Sequence, residues 1–282
     1  MPPLVKIRSE RDQMSAIERR IADFILENAH LLRDYSSQQL ANALGISQSS
    51  VVKFAQKFGF KGYPDLKYSV GAAVARNGVA EDAAPVAPVA QDDFAQLSEQ
   101  LRRSKAEADE ETRLINPRES LEGIADRLDR AGKVYVCGLG EDALYAREFA
   151  LKLSLLGMVT VHHADPVLMM AGMSAVQADD VLLVFSEHGT LPQLSQISRQ
   201  FQDFRGRVVS VTRHTANPLR AHADATLLVS AHDARPHVEQ VLYRAALQTL
   251  LDLVFVLLCH RSTGRREQFD LNLERMQHMI HS

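Results

Sequence analysis

Cysteine is scarce in this chain: Cys137 and Cys259 are the only two in 282 residues. Both sit in apolar runs, so they read as buried, reduced thiols of a cytoplasmic protein, which argues against a disulfide framework. The opening segment, MPPLVKIRSERDQ, lacks an apolar stretch, so no signal peptide is expected. Long uninterrupted apolar runs are missing too. The longest, Leu247–Cys259, is broken by Gln248, Thr249 and Asp252 and reads as a buried helix rather than a bilayer span. Metal-ligand spacing is also lacking. His214, His222, His232 and His237 are scattered. His162 and His163, ahead of Asp165, are neighbours on a strand and point to opposite faces. Neither a metal nor a cofactor is expected.

Net charge is small, −3 at pH 7, which taken alone argues against a nucleic-acid partner. Its distribution reverses that reading. Residues 1–76 hold 11 Lys and Arg against 7 Asp and Glu, and the rest of the chain holds 21 against 28. The excess lies in 45–76, where Lys53, Lys57, Lys61, Lys67 and Arg76 meet only Asp65. Phosphate contacts need local positive charge, not a basic whole protein. The composition, 46% hydrophobic and 24% charged, suits a soluble protein with a sizeable core. Its length allows roughly two domains.

The pattern divides the chain. Residues 1–75 have helical periodicity and many capping signals. Residues 76–91 (RNGVAEDAAPVAPVAQ) read as a semi-extended linker. Residues 92–282 form the remainder. Two helices are expected first, with Asp92 or Asp93 capping one and Asn116-Pro117 separating it from the next. Short apolar runs then follow at Val134–Cys137, Val159–His162, Val181–Phe185, Val208–Thr212 and Thr226–Val229, alternating with amphipathic segments. Unbroken β-branched runs suit strands buried on both faces. The expected fold is an α-helical N-terminal domain followed by an α/β sandwich with a parallel sheet of about five strands.

Within the first part, Ser36 and Gln39 have the spacing of a capping box. Leu40, Ala41 and Leu44 mark an apolar face, Gly45 permits a left-handed helix end, and Ile46 can plug the corner. Ser47 caps a second helix with Val51, Phe54, Ala55 and Phe58 inward and Gln48, Ser49, Ser50, Lys53 and Lys57 outward. This is a helix-turn-helix, whose second helix meets base edges through its first residues. Gln48 suits adenine, Ser49 and Ser50 suit bases or phosphates, and Lys53 and Lys57 suit phosphates. Ser36 and Ser47 at the two helix starts join this DNA-binding set, and Lys61, Tyr63 and Lys67 could extend the contact. The alternative is a plain helical hairpin with a solvated lysine edge.

The segment SSQQLANALGISQSSVVKFAQKFGFKGYPDLK closely resembles the N-terminal domain of the RpiR/MurR family of bacterial transcriptional regulators. Upstream, ERRIADFILENAHLL resembles that family's first core helix, with Ile21, Phe24, Ile25 and Leu31 inward. Further on, GLGEDALYAREFALKLSLLGM looks like the opening of a sugar isomerase (SIS) domain, and Ser186-Glu187-His188-Gly189 looks like its second ligand loop. The resemblance implies a phosphorylated sugar bound at these loops and an effect of that ligand on DNA affinity. It also implies Gly138, Gly140, Glu141, Asp142, Ser186, His188 and Gly189 as ligand-binding residues. Glu239, with His237 and Arg244, opens a long helix near where such domains close the pocket.

The loops depart from the family pattern. The family's Gly-x-Gly-x-Ser places a hydroxyl where this chain has Asp142, preceded by Glu141. In the second loop, His188 replaces a serine and Leu191 the last hydroxyl. Two carboxylates at a helix N-terminus suit the helix dipole but repel a phosphate dianion. The pocket therefore binds another ligand, such as a polyol or an amine-bearing metabolite, or is degenerate, or still takes a phosphosugar through backbone amides and His188.

The expectation is a non-enzymatic transcription factor, a repressor of a catabolic operon. Its partners would be a double-stranded DNA operator and a small sugar-related effector, with no membrane partner. It would act as a homodimer or homotetramer. The rival readings are a sugar phosphate isomerase with a helical extension and a DNA-binding protein with a degenerate pocket.

Overall fold

A computed structural model describes residues 3–11, 14–29, 32, 35–78, 93–215, 217–233 and 235–281. Leu31, Asp92 and residues 79–91 of the expected linker lie outside these described residues. The chain divides into two units, Met1–Ser98 and Glu99–Ser282.

The first unit is helical: α1 (Pro3–Glu10), α2 (Ala16–Glu27), α3 (Ser37–Ala43), α4 (Gln48–Lys57) and α5 (Tyr63–Gly78). Capping boxes start α2, through Ser15 and Glu18, and α3, through Ser36 and Gln39. Each satisfies two amides that a helix start would leave unpaired. Ile7, Ile21, Ile25, Leu40, Val51, Phe54, Leu66 and Val70 are buried in one core. Phe24 is half-buried and meets Tyr35 edge-on, with ring centroids 5.4 Å apart.

The helix α6 (Asp93–Ile115) begins before the boundary and runs into the second unit, where it and α7 (Arg118–Arg130) lead into an α/β sandwich. Asp93 is the first residue of α6 rather than its cap. Buried Asn116 pins the link between these helices. Its amide donates to the Thr112 and Leu228 carbonyls, each at 2.7 Å, and its oxygen accepts from the Leu228 amide at 3.0 Å. The strands are β1 (Val134–Gly138), β2 (Thr160–His162), β3 (Val181–Phe185), β4 (Arg207–Arg213) and β5 (Ala225–Val229). They form one parallel sheet in the order β2-β1-β3-β4-β5.

Side chains alternate across this sheet, as a strand's period of two requires. Val134, Val136, Leu183, Phe185, Val209 and Val211 pack with α7, α8 (Asp142–Leu155) and α12 (Pro236–Arg261). Tyr135, Cys137, Leu182, Val184 and Val208 pack on the other face with α9 (Pro166–Gly172), α10 (Pro192–Asp203) and α11 (Pro218–His222). Both cysteines are free, and burial pushes the Cys137 thiol up to about 12. The helix α12 is long and apolar enough to cross a membrane by composition. In the fold it is a core helix, with Leu242, Ala246, Leu247, Leu250 and Val254 buried. The final helix, α13 (Thr263–His281), packs Phe269 against Phe255 of α12.

Candidate DNA-reading head and effector crevice

Between α3 and α4 the chain turns on Gly45, at φ 59°. The Ile46 amide donates to the Ala41 carbonyl at 2.9 Å and the Gly45 amide to the Asn42 carbonyl at 3.1 Å. These bonds satisfy carbonyls that the helix end would leave open. Arg20 of α2 donates to the Leu44 carbonyl from outside. At the start of α4, the Ser47 hydroxyl accepts from the Ser50 amide at 3.2 Å and shares hydrogen bonds with the Ser49 and Ser50 hydroxyls at 2.9 and 2.8 Å. Ser47→Ala is expected to lower the stability of this unit by about 1 kcal/mol. Urea unfolding checks this, and no loss would mean that the neighbouring hydroxyls replace the cap.

The turn sets α4 with Val51, Phe54 and Ala55 buried and Gln48, Ser49, Lys53 and Lys57 exposed. Lys53 has no ion-pair partner among the described residues. Lys57 and Lys67 are less free. Lys57 Nζ lies 2.9 Å from Glu18 Oε1 of α2. The hydrogen bonds Glu18 receives from Lys57 and from the Ser15 amide hold its carboxyl below its ordinary range. Lys67 is half-buried and donates to the Tyr35 carbonyl at 3.1 Å. Tyr63, expected beside the DNA contact, is a core residue. It is 2% exposed, donates to the same carbonyl at 3.0 Å, and burial pushes its phenol up to about 12. Lys61 is exposed, and its amide donates to Asp65 Oδ2 at 2.9 Å. The Gln48 side-chain amide donates to Ser37 Oγ at 2.9 Å, which ties the starts of α3 and α4 together.

The sheet order makes β1 and β3 neighbours, with Gly138 opposite Phe185. Their connections leave to opposite sides, because β2 lies beyond β1 and β4 beyond β3. Such a point opens a crevice outside the carboxyl ends of the two strands. The loops that meet there are Gly138–Asp142 and Ser186–Gly189. Gly138 is required by packing: a Cβ there would lie 2.6 Å from the Asp142 carbonyl oxygen. The first turn of α8 thus backs onto the strand end, and the close approach at Gly138 is made by the protein itself. Gly140, at φ 62°, faces open space.

Asp142 reaches across this crevice. Its Oδ2 accepts from the Glu187 amide at 3.0 Å. Burial pushes its carboxyl up to about 6, against the lowering effect of that hydrogen bond, and the charges of Glu187 and Glu141 add to the rise. Glu141 makes no capping bond with its side chain. Buried Ser186 accepts from the Gly189 amide at 3.2 Å. Gly189, at φ 62°, lies so close to Asn217 that a Cβ would fall 2.0 Å from its Oδ1. Asn217 donates to Thr212 at 3.0 Å, and Thr212 to the Glu187 carbonyl at 3.1 Å. The second loop is therefore clamped from the end of β4.

Below the loop sits Arg213, 9% exposed. Its guanidinium donates to Glu187 Oε1 at 2.8 and 2.5 Å, to Glu239 Oε1 at 3.1 Å and to the Ala231 carbonyl at 2.8 Å. It also lies over the Tyr243 ring, 5.1 Å from the centroid. His188 is largely exposed, with Nε2 4.0 Å from Glu187. Burial raises the Tyr145 phenol on α8; the charge of exposed Arg244 opposes the rise, and those of Glu141, Asp142 and Glu187 add to it.

The family model for the helix-turn-helix domain of the rpiR family matches residues 1–77, and the SIS domain model matches residues 127–257. A helix-turn-helix-type transcriptional regulator of Escherichia coli K12, the uncharacterized YfhH, is 30% identical over 99% of this chain and 97% of its own. The chain belongs to the RpiR family of transcriptional regulators. Two solved structures share its fold. NanR of Vibrio vulnificus, complexed with ManNAc-6P, has a TM-score of 0.60 at 21% identity and covers 98% of each chain. The sugar isomerase domain of an RpiR transcription factor from Sphaerobacter thermophilus has a TM-score of 0.56 at 18% identity, covering 65% of this chain and 99% of that one.

In this RpiR regulator the fold gathers the expected crevice residues Gly138, Gly140, Glu141, Asp142, Ser186, His188 and Gly189 at the ends of β1 and β3. Glu239 joins them only through Arg213, which the sequence reading did not single out. An arginine closing an apolar strand reads as a surface boundary, and its partners Glu187 and Glu239 are each 26 positions away. His162 and Asp165 have local roles. His162 Nδ1 bonds to the Val136 carbonyl at 2.9 Å, and Asp165 caps α9.

Proposed function

We propose that this RpiR-family regulator binds double-stranded operator DNA through the N-terminal end of α4. Bound to its operator it represses a catabolic operon, and a small sugar-related molecule in the crevice sets its DNA affinity. The observation that carries the reading is α4 itself. Its cap, its buried face and the Gly45 turn fix a helix whose exposed edge holds Gln48, Ser49 and Lys53. Helices of this kind enter the major groove with their first residues on base edges. Exposed apolar residues on adjoining helices of the second unit, Leu144 and Leu151 on α8 and Leu253 and Val256 on α12, support self-association as a homodimer or homotetramer. Paired heads then meet a palindromic site. The ligand shifts DNA binding only by its differential affinity for the two arrangements of the heads.

An isomerase would need a base free to take a proton from substrate. Of the two groups that could serve, Glu239 is held by Arg213 and His188 is exposed, and the regulator is favoured because an isomerase has no use for the exposed Lys53 of α4.

The pairing of Lys57 with Glu18 ranks the lysines. Lys53→Ala is expected to weaken DNA binding across sequences and to lower the salt slope by about one. Lys57→Ala should do less, because its charge is already opposed. Affinities measured over a salt series check the order: no loss from Lys53→Ala would remove Lys53 from the contact, and equal losses would mean that Lys57 leaves Glu18 to reach a phosphate.

A further inference from the structure

We propose that Asp142 is the specificity-determining residue of the crevice: its carboxylate sits where an anionic group would bind, so the effector is an unphosphorylated polyol or amino sugar. The inference rests on the reading that this crevice holds the effector.

Three observations carry it. First, the Glu187 amide, which would serve an anion at the junction of the two loops, already donates to Asp142 Oδ2 at 3.0 Å. Second, that same Asp142 carboxylate stands in the first turn of α8, so its charge also answers the positive end of the helix. Third, the buried cation of the site is committed. Arg213 gives its donors to Glu187, Glu239 and the Ala231 carbonyl, and Glu187 and Glu239 both lie on it. Around the crevice Glu141, Asp142, Glu187 and Glu239 stand against Arg213, exposed Arg244 and the exposed imidazoles of His188 and His232, the latter 3.6 Å from Glu239. A phosphate dianion entering here would meet an ionised carboxylate at short range in a partly buried site, where repulsion is weakly screened. Hydroxyl or ammonium groups would instead find acceptors in Asp142 and Glu141.

The full-length wild type and Asp142→Ser, labelled with nitrogen-15, are titrated at neutral pH, and the Glu187 and Gly189 amides are followed. The probes are inorganic phosphate, glucosamine, glucosamine 6-phosphate, fructose and fructose 6-phosphate. The phosphate-bearing probes should leave the wild-type amides unmoved and shift those of the variant, with a gain in apparent affinity of roughly tenfold or more. Asp142→Asn keeps an acceptor for the Glu187 amide and removes the charge. It should gain in the same direction by less, which keeps the test open if the serine variant folds poorly. Phosphate esters moving the wild-type amides would overturn the proposal and leave the effector reading standing. If no probe moved these amides in any of the three proteins, both would fall.

Discussion

Replacing Arg213 by methionine is expected to lower the stability of the second unit by about 3–5 kcal/mol. The methionine keeps much of the side-chain volume but leaves Glu187 and Glu239 facing each other without the cation between them. It also leaves the Ala231 carbonyl without the donor it has at 2.8 Å. Breaking one partner of a buried pair costs more than the pair contributes, because the remaining charge stays desolvated. The loss should show in urea unfolding as a lower midpoint with an unchanged slope. A second change discriminates the cause. Adding Glu187→Gln to Arg213→Met removes one uncompensated charge and should recover part of the loss, a non-additivity that independent sites would not show. A loss that the second change only deepened would assign Arg213 to packing on Tyr243 instead.

The second large effect has the opposite sign. Asp142→Asn is expected to stabilise the protein at pH values above about 6, by about 3 kcal/mol. The Asp142 carboxyl is raised to about 6 by burial, from an ordinary value of 3.8. Between those values the folded state holds a proton that the unfolded state has released. Wild-type stability therefore falls as pH rises through this window, and the deficit is complete above about 6. Asparagine has no charge to desolvate and still accepts from the Glu187 amide. The two proteins should be closest in stability below pH 3.8 and diverge through the window. Parallel curves of stability against pH would mean that the carboxylate is not desolvated in the folded state.

Much of the fold could be read locally. Ser36, Gln39, Gly45 and Ser47 act through neighbours three to five positions away, so their caps and turn follow from spacing alone. The strands were legible because the central ones are buried on both faces and carry unbroken apolar runs. The interactions that define the two sites are non-local. Lys57, an expected phosphate contact, meets Glu18 from 39 positions away, a pairing that spacing within α4 does not show. Tyr63 stands beside Lys61 in sequence, but its ring points into the core toward Tyr35, 28 positions back. Asp142 bridges to Glu187 across 45 positions, and only the neighbouring of β1 and β3 brings them together. In sequence, Asp142 stands out as a departure from the family pattern. The geometry shows its hydrogen-bond partner.

The central claim is that α4 reads DNA, and selection from a random pool of duplexes by the intact chain tests it most directly. The expected result is enrichment of a two-fold symmetric sequence with half-sites about one helical turn apart, lost when Gln48 and Lys53 are both changed to alanine. No enrichment, or the same enrichment with the double variant, would contradict it.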